Sequence, residues 1–94
     1  MERIKEHPRD PEQVKKLVNR LHRIQGQLHG IETMVVENRY CGDILNQVAA
    51  VEKALQSLGY IILEDHMETC VRHKVKQEDE DVMKEVMDLV QKLK

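Results

Sequence analysis

Tryptophan and phenylalanine are absent from this sequence and tyrosine occurs only twice, whereas 34% of the residues are charged. A β-sandwich draws on aromatic and β-branched residues to fill its pleated faces, so this scarcity points to helices instead. No apolar run approaches the roughly 20 residues of a membrane span, and Met1 to Asp10 is too charged to be a signal-peptide core. Those two absences predict a cytoplasmic protein with no membrane partner. Cysteine is scarce as well. Cys41 and Cys70 are the only two, and in a reducing compartment they read as thiols for metal or redox chemistry rather than as a structural disulfide. A chain of 94 residues makes one domain, residues 1–94, with 1–10 as a flexible leader. Its modest core would gain from association with further copies.

What the chain does contain is helical period. Asp10 suits an N-cap, Pro11 the first helical position, and Gln13 completes an Asp-x-x-Gln capping box. Val14, Leu17, Val18, Leu21, Ile24, Leu28, Ile31, Met34 and Val35 then recur at spacings of three and four, which predicts a first helix to about Glu37. Gly26 and Gly30 lie inside it at about 1 kcal/mol each against alanine, a cost that close approach of another helix would explain. Asn38 and Arg39 form a short break. A second stripe, Ile44, Leu45, Val48, Val51, Leu55, Leu58, Ile62, Met67 and Val71, predicts a proline-free helix to about Val75, with Gly59 its one weak point. The acidic run Glu78 to Asp81 favours the positive end of a third helix striped by Val82, Val86, Leu89, Val90 and Leu93. Long helices with short connections pack as antiparallel bundles. The fold class expected is therefore all-α, two long antiparallel helices plus a short C-terminal one, with apolar residues left over for a dimer or larger assembly.

Charge is unevenly placed within the net −2. From Gln13 to Ile31 there is no acid, and Lys15, Lys16, Arg20 and Arg23 give +4, leaving −6 for the rest. Such separation lets an acidic protein present a basic stripe to phosphates.

Cys41, His66 and Cys70 carry the chemistry. On a helix His66 and Cys70, four apart, project from one face as a metal-binding pair. Cys41 stands 25 positions before His66; on one continuous helix that is about 37 Å at roughly 1.5 Å per residue, against metal–sulfur bonds of about 2.3 Å. A three-ligand site then needs Cys41 from a second chain, so site and oligomer are one hypothesis. The same distance opposes an intrachain Cys41–Cys70 disulfide. Two thiolates and one imidazole suit Cu(I) and are too few for a closed structural zinc site. Taken singly, a cysteine is usually a small buried hydrophobe and a histidine a surface residue; the spacing argues for more. His7, His22, His29 and His73 have no partner at ligand spacing and are read as solvated, with His22 and His29 placed to assist the basic segment.

The chain resembles the copper-sensing operon repressor family, small all-helical bacterial repressors. The resemblance runs over most of its length and is carried by Asn19-Arg20-Leu21-His22-Arg23-Ile24-Gln25-Gly26-Gln27-Leu28, by Arg39-Tyr40-Cys41 and by Leu63-Glu64-Asp65-His66-Met67-Glu68-Thr69-Cys70-Val71. It implies a disc-shaped tetramer, a dimer of antiparallel dimers, without a helix-turn-helix. It also implies a metal-free form that binds operator DNA and a metal-bound form that leaves it, derepressing copper-resistance genes. The family's ligands fall on Cys41, His66 and Cys70, with one Cu(I) per protomer bridging two chains. Its supporting tyrosine and glutamate fall on Tyr40 and, allowing a short gap, Glu85. DNA contacts are expected from Lys15, Lys16, Arg20, Arg23 and Lys53. Operator DNA, further copies of the chain and a copper chaperone are the partners implied.

Branches of the family separate at the sensor residues. The nickel and cobalt branch resembles this chain at Cys41 and His66 but has histidine where Cys70 stands, with a further histidine near the N-terminus, a place His7 could fill. The persulfide branch keeps two cysteines without the histidine, and the formaldehyde branch relies on a proline where Glu2 stands. His22, His29 and Gln56 occupy positions often basic in relatives. Two other classes remain open on the residues alone: a thiol sensor bridging Cys41 to a partner's Cys70, and a helical metal-storage or adaptor protein whose acid-free stretch is only a solvated face. An enzyme is not expected, since no nucleophile, base and orienting acid occur together at usable spacing.

Overall fold

The computed structural model describes residue 4, residues 8–68 and residues 81–93. Among them are three helices, α1 (Pro11–Val36), α2 (Cys41–His66) and α3 (Val82–Gln91), which agrees with the all-α class. They divide into two compact units, Asp10–Leu58 and a second made of Met1–Arg9 with Gly59–Lys94.

In the first unit α1 begins as the sequence predicts. Asp10 Oδ1 accepts the Glu12 N–H at 3.2 Å and Pro11 takes a position where no N–H is needed. The bond comes from Glu12, one position earlier than a capping box through Gln13 would have it. At the other end Asn38 adopts φ 56°, the left-handed region that asparagine tolerates best after glycine. The Arg39 N–H donates to Met34 O at 2.9 Å and the Asn38 N–H to Val35 O at 3.1 Å. This is a Schellman closure, and it satisfies carbonyls that the helix end would otherwise leave bare. The chain restarts at once: Tyr40 O accepts from Asp43 and Ile44, opening α2 at Cys41. The product is an αα-hairpin. Its buried residues are Leu17 and Ile24 on α1 and Val51 and Leu58 on α2, seven apart on each helix and so on one face of each.

A second apolar stripe of α1 is not covered. Val14, Val18, Leu21, Leu28 and Val35 are 39 to 57% exposed. A Cβ at Gly26 or Gly30 would have no atom within 4 Å, so no described helix of this chain approaches them closely. Gly26→Ala and Gly30→Ala are thus each expected to raise urea stability by up to about 1 kcal/mol through helix propensity; a loss instead would place a partner on that face.

In the second unit Val82 and Val86 are buried, with Val90 packed against them. A Cβ on Gly59 would collide with the Leu93 side chain, so the weak point in the α2 sequence is where Leu93 seats. Gly59 meets Leu93 and His66 meets Glu85; the crossed order makes α3 antiparallel to the last two turns of α2. The rest of the helix expected to about Val75 lies outside the described residues; the α part of α2 ends at His66 and the coil widens to π geometry at Met67 and Glu68. The apolar stripe had marked this: Ile62 to Met67 is a five-residue step, the period of a π turn. Residues 69–80, and with them Cys70, Val71, His73, Val75 and the acidic residues Glu78 to Glu80, lie outside the described residues. So do most of the predicted leader and His7.

Candidate metal centre and basic face

Cys41 is the first residue of α2 and its thiol is exposed. His66 is the last residue of that helix. Twenty-six residues of α-helix separate the two by its length, so one chain cannot bring both to one ion. No group of three His, Cys, Asp or Glu side chains among the described residues is arranged to hold a metal.

His66 is prepared on one side. Its Nε2 lies 3.0 Å from Glu85 Oε1, and the two side chains are 25% and 36% exposed. An ionised carboxylate can only accept, so Nε2 must carry the hydrogen. In the neutral ring this leaves the Nδ1 lone pair for a Lewis acid, with the carboxylate fixing tautomer and ring orientation. Glu85 reaches His66 because it lies in the first turn of α3, one turn beyond Val82 and next to Val86, whose burial anchors that helix on α2. The two expected supporting residues therefore part company. Glu85 touches His66, while Tyr40 is 74% exposed and lies beside Cys41 in the other unit. The Tyr40 ring folds over Gly42, where a Cβ would come within 2.5 Å of Cε2.

Sequence reasoning missed one contact of this region altogether. Arg9 Nε lies 3.3 Å from Asp65 Oδ2, immediately before His66. Nothing in the spacing of residues 56 positions apart announces it.

The basic residues of the first unit all face solvent: Lys15, Lys16, Arg20 and Arg23 on α1 and Lys53 on α2. Lys16, Arg20 and Arg23 follow at steps of four and three and line one side of α1, flanking the face that carries buried Leu17 and Ile24. His22 and His29 are exposed too, and His29 Nδ1 stands 3.9 Å from Glu32. No described helix is long and apolar enough to cross a membrane.

A helical hairpin with an acid-free cationic face, joined to a carboxylate-held histidine, has the composition of a small ligand-responsive DNA-binding regulator. Residues 13–92 match the model of the family described as metal-sensitive transcriptional repressor, and the chain belongs to that family. It is 42% identical over 78 residues to the copper-sensing transcriptional repressor CsoR of Bacillus subtilis (strain 168), covering 82% of this chain and 77% of that one. Over 56 residues it is 43% identical to the copper-sensing transcriptional repressor RicR of Mycobacterium tuberculosis (strain ATCC 25618 / H37Rv), 60% of this chain and 58% of that protein. The crystal structure of the copper-sensing repressor CsoR with Cu(I) from Geobacillus thermodenitrificans NG80-2 superposes with a TM-score of 0.84 at 38% identity, covering 92% of this chain and 91% of that one. The nickel-responsive transcriptional regulator InrS gives 0.77 at 37% identity, with 96% and 100% covered.

Proposed function

We propose that this repressor responds to Cu(I), bound by Cys41 of one chain with His66 and Cys70 of another, one ion per protomer. The His66–Glu85 contact carries the reading, because it presents a single imidazole nitrogen to a soft-donor set whose other members are thiolates. Cu(I) bound there would supply a soft Lewis acid suited to two thiolates and a neutral imidazole. The identity to copper-sensing relatives supports copper over other metals.

In the metal-free protein the side chains of Lys15, Lys16, Arg20, Arg23 and Lys53 neutralise operator phosphates. Contacts of that kind set position and affinity and do not read sequence. His66 would hold the ion through Nδ1 while its Nε2–H stays on Glu85, which ties the imidazole to α3, and Tyr40 would stand beside the Cys41 ligand. Antiparallel pairing of two α2 helices would set each Cys41 opposite the other chain's His66 and Cys70. The exposed stripe Val14, Val18, Leu21, Leu28 and Val35 is apolar surface for pairing of chains, up to a homotetramer. The whole chain acts as one sensing and DNA-binding domain in the cytoplasm, supplied by a copper chaperone.

A nickel reading is kept by the likeness to InrS. Anaerobic titration followed by X-ray absorption separates the two. Copper predicts a trigonal shell of two sulfurs and one nitrogen and loss of operator binding at about one Cu(I) per chain. A nickel-filled shell of four or more ligands that alone releases DNA overturns it.

A further inference from the structure

The turn of α2 that ends in His66 is gripped twice. Glu85 holds the imidazole from α3, and Arg9 holds the preceding residue, Asp65, from the N-terminal segment. Asp65 is 13% exposed and Arg9 32%, and the two contacting atoms, Nε and Oδ2, are closed off from solvent. Their attraction is therefore screened far less than that of a surface pair. Successive helical residues are rigidly related through the backbone, so a force that fixes the direction of Asp65 also fixes where His66 starts from. The grip falls where the coil changes: beyond His66 it widens to π geometry at Met67 and Glu68. Arg9 is also joined by a single peptide bond to Asp10, the N-cap of the helix that bears Lys15, Lys16, Arg20 and Arg23.

We propose that Arg9 is a positioning residue for the metal centre: its ion pair with Asp65 holds the last turn of α2 in the orientation that presents His66. The role rests on the copper reading for its ligand but not for the tether itself. Glu85 sets the ring, Arg9 sets the turn that carries the ring, and neither touches the ion.

The test uses the full chain carrying Arg9→Ala, Asp65→Asn, or the exchanged pair Arg9→Asp with Asp65→Arg. Cu(I) affinity is measured by chelator competition. Each single variant is expected to bind Cu(I) about tenfold more weakly, the usual size of a lost supporting contact, and the exchanged pair to recover most of that loss. The direction is diagnostic. Bulk electrostatics would make Arg9→Ala bind a cation more tightly and Asp65→Asn more weakly, whereas the tether weakens both. Opposite signs, or unchanged affinity in both, overturn the proposal. Hydrogen exchange of the metal-free protein supplies a readout independent of copper: amides from Ile62 to His66 should exchange several-fold faster in either single variant. Unchanged exchange there overturns the tether whatever the effector is. Faster exchange in the single variants, together with a wild type that fails to bind Cu(I), would overturn the copper reading and leave the tether standing.

Discussion

Cys41→Ala is expected to keep operator affinity of the metal-free protein within about twofold and to lose the response to Cu(I) altogether. A coupling of the usual size, 1 to 3 kcal/mol, weakens DNA binding by about 5- to 150-fold when metal is bound, and in this variant the ratio should fall to one. The reason lies in the placement of the thiol. Cys41 is exposed at the start of α2, is not among the buried residues of the hairpin, and lies apart from the cationic positions of α1. Removing its sulfur therefore leaves fold and phosphate contacts as they were. The donor set drops to one thiolate and one imidazole, too few to hold Cu(I) against cellular thiols. Linkage fixes a companion result: operator DNA should weaken Cu(I) binding of the wild type by the same factor, and should leave the residual affinity of Cys41→Ala unchanged. Titrations of metal with and without DNA check both. A Cys41→Ala protein that still leaves DNA on Cu(I) addition would remove Cys41 from the site.

The second large effect is expected from Arg20→Gln combined with Arg23→Gln. Both side chains are exposed on one side of α1 in a stretch without acids. If each meets a phosphate, the slope of log K against log salt becomes shallower by about 0.9 per lost contact, which is roughly 30-fold in affinity per contacting protomer at 0.15 M salt. Cu(I) affinity should be retained, because neither arginine is among the proposed ligands or contacts His66 as Glu85 does. Fluorescence anisotropy across a salt series measures the slope. Operator binding unchanged in strength and slope would return the acid-free stretch to a merely solvated face and favour a storage or adaptor protein.

Much of this fold could be read from local chemistry. Asp10 and Pro11 start α1 where capping rules place them, and the break at Asn38 is a Schellman closure by one of the few residues that take a positive φ without glycine. The burial of Leu17, Ile24, Val51 and Leu58 follows the helical period. The rest was less legible for physical reasons. The apolar stripe of α2 takes a five-residue step from Ile62 to Met67, where the coil widens to π geometry. Gly26 and Gly30 say only that a helix can be approached, not which chain approaches it. At the site, Cys41 and His66 were legible as a pair that one helix cannot close. Glu85 could be picked out as the start of the third helix, but its contact with His66, 19 positions away, has no spacing rule behind it. Arg9 with Asp65 was illegible, because two charges far apart in sequence carry no spacing rule.

The central claim, a site shared between chains, is tested most directly by complementation. Cys41→Ala and His66→Ala chains are purified separately, mixed in equal amounts, unfolded and refolded together, and titrated anaerobically with Cu(I) against a chelator. Neither variant alone should hold Cu(I) tightly. A heterodimer regains one whole site, with Cys41 from the His66→Ala chain and His66 and Cys70 from the Cys41→Ala chain, so random pairing predicts tight binding at about one quarter of the wild-type capacity. No tight binding in the mixture, when the wild type treated identically recovers its own, would contradict it.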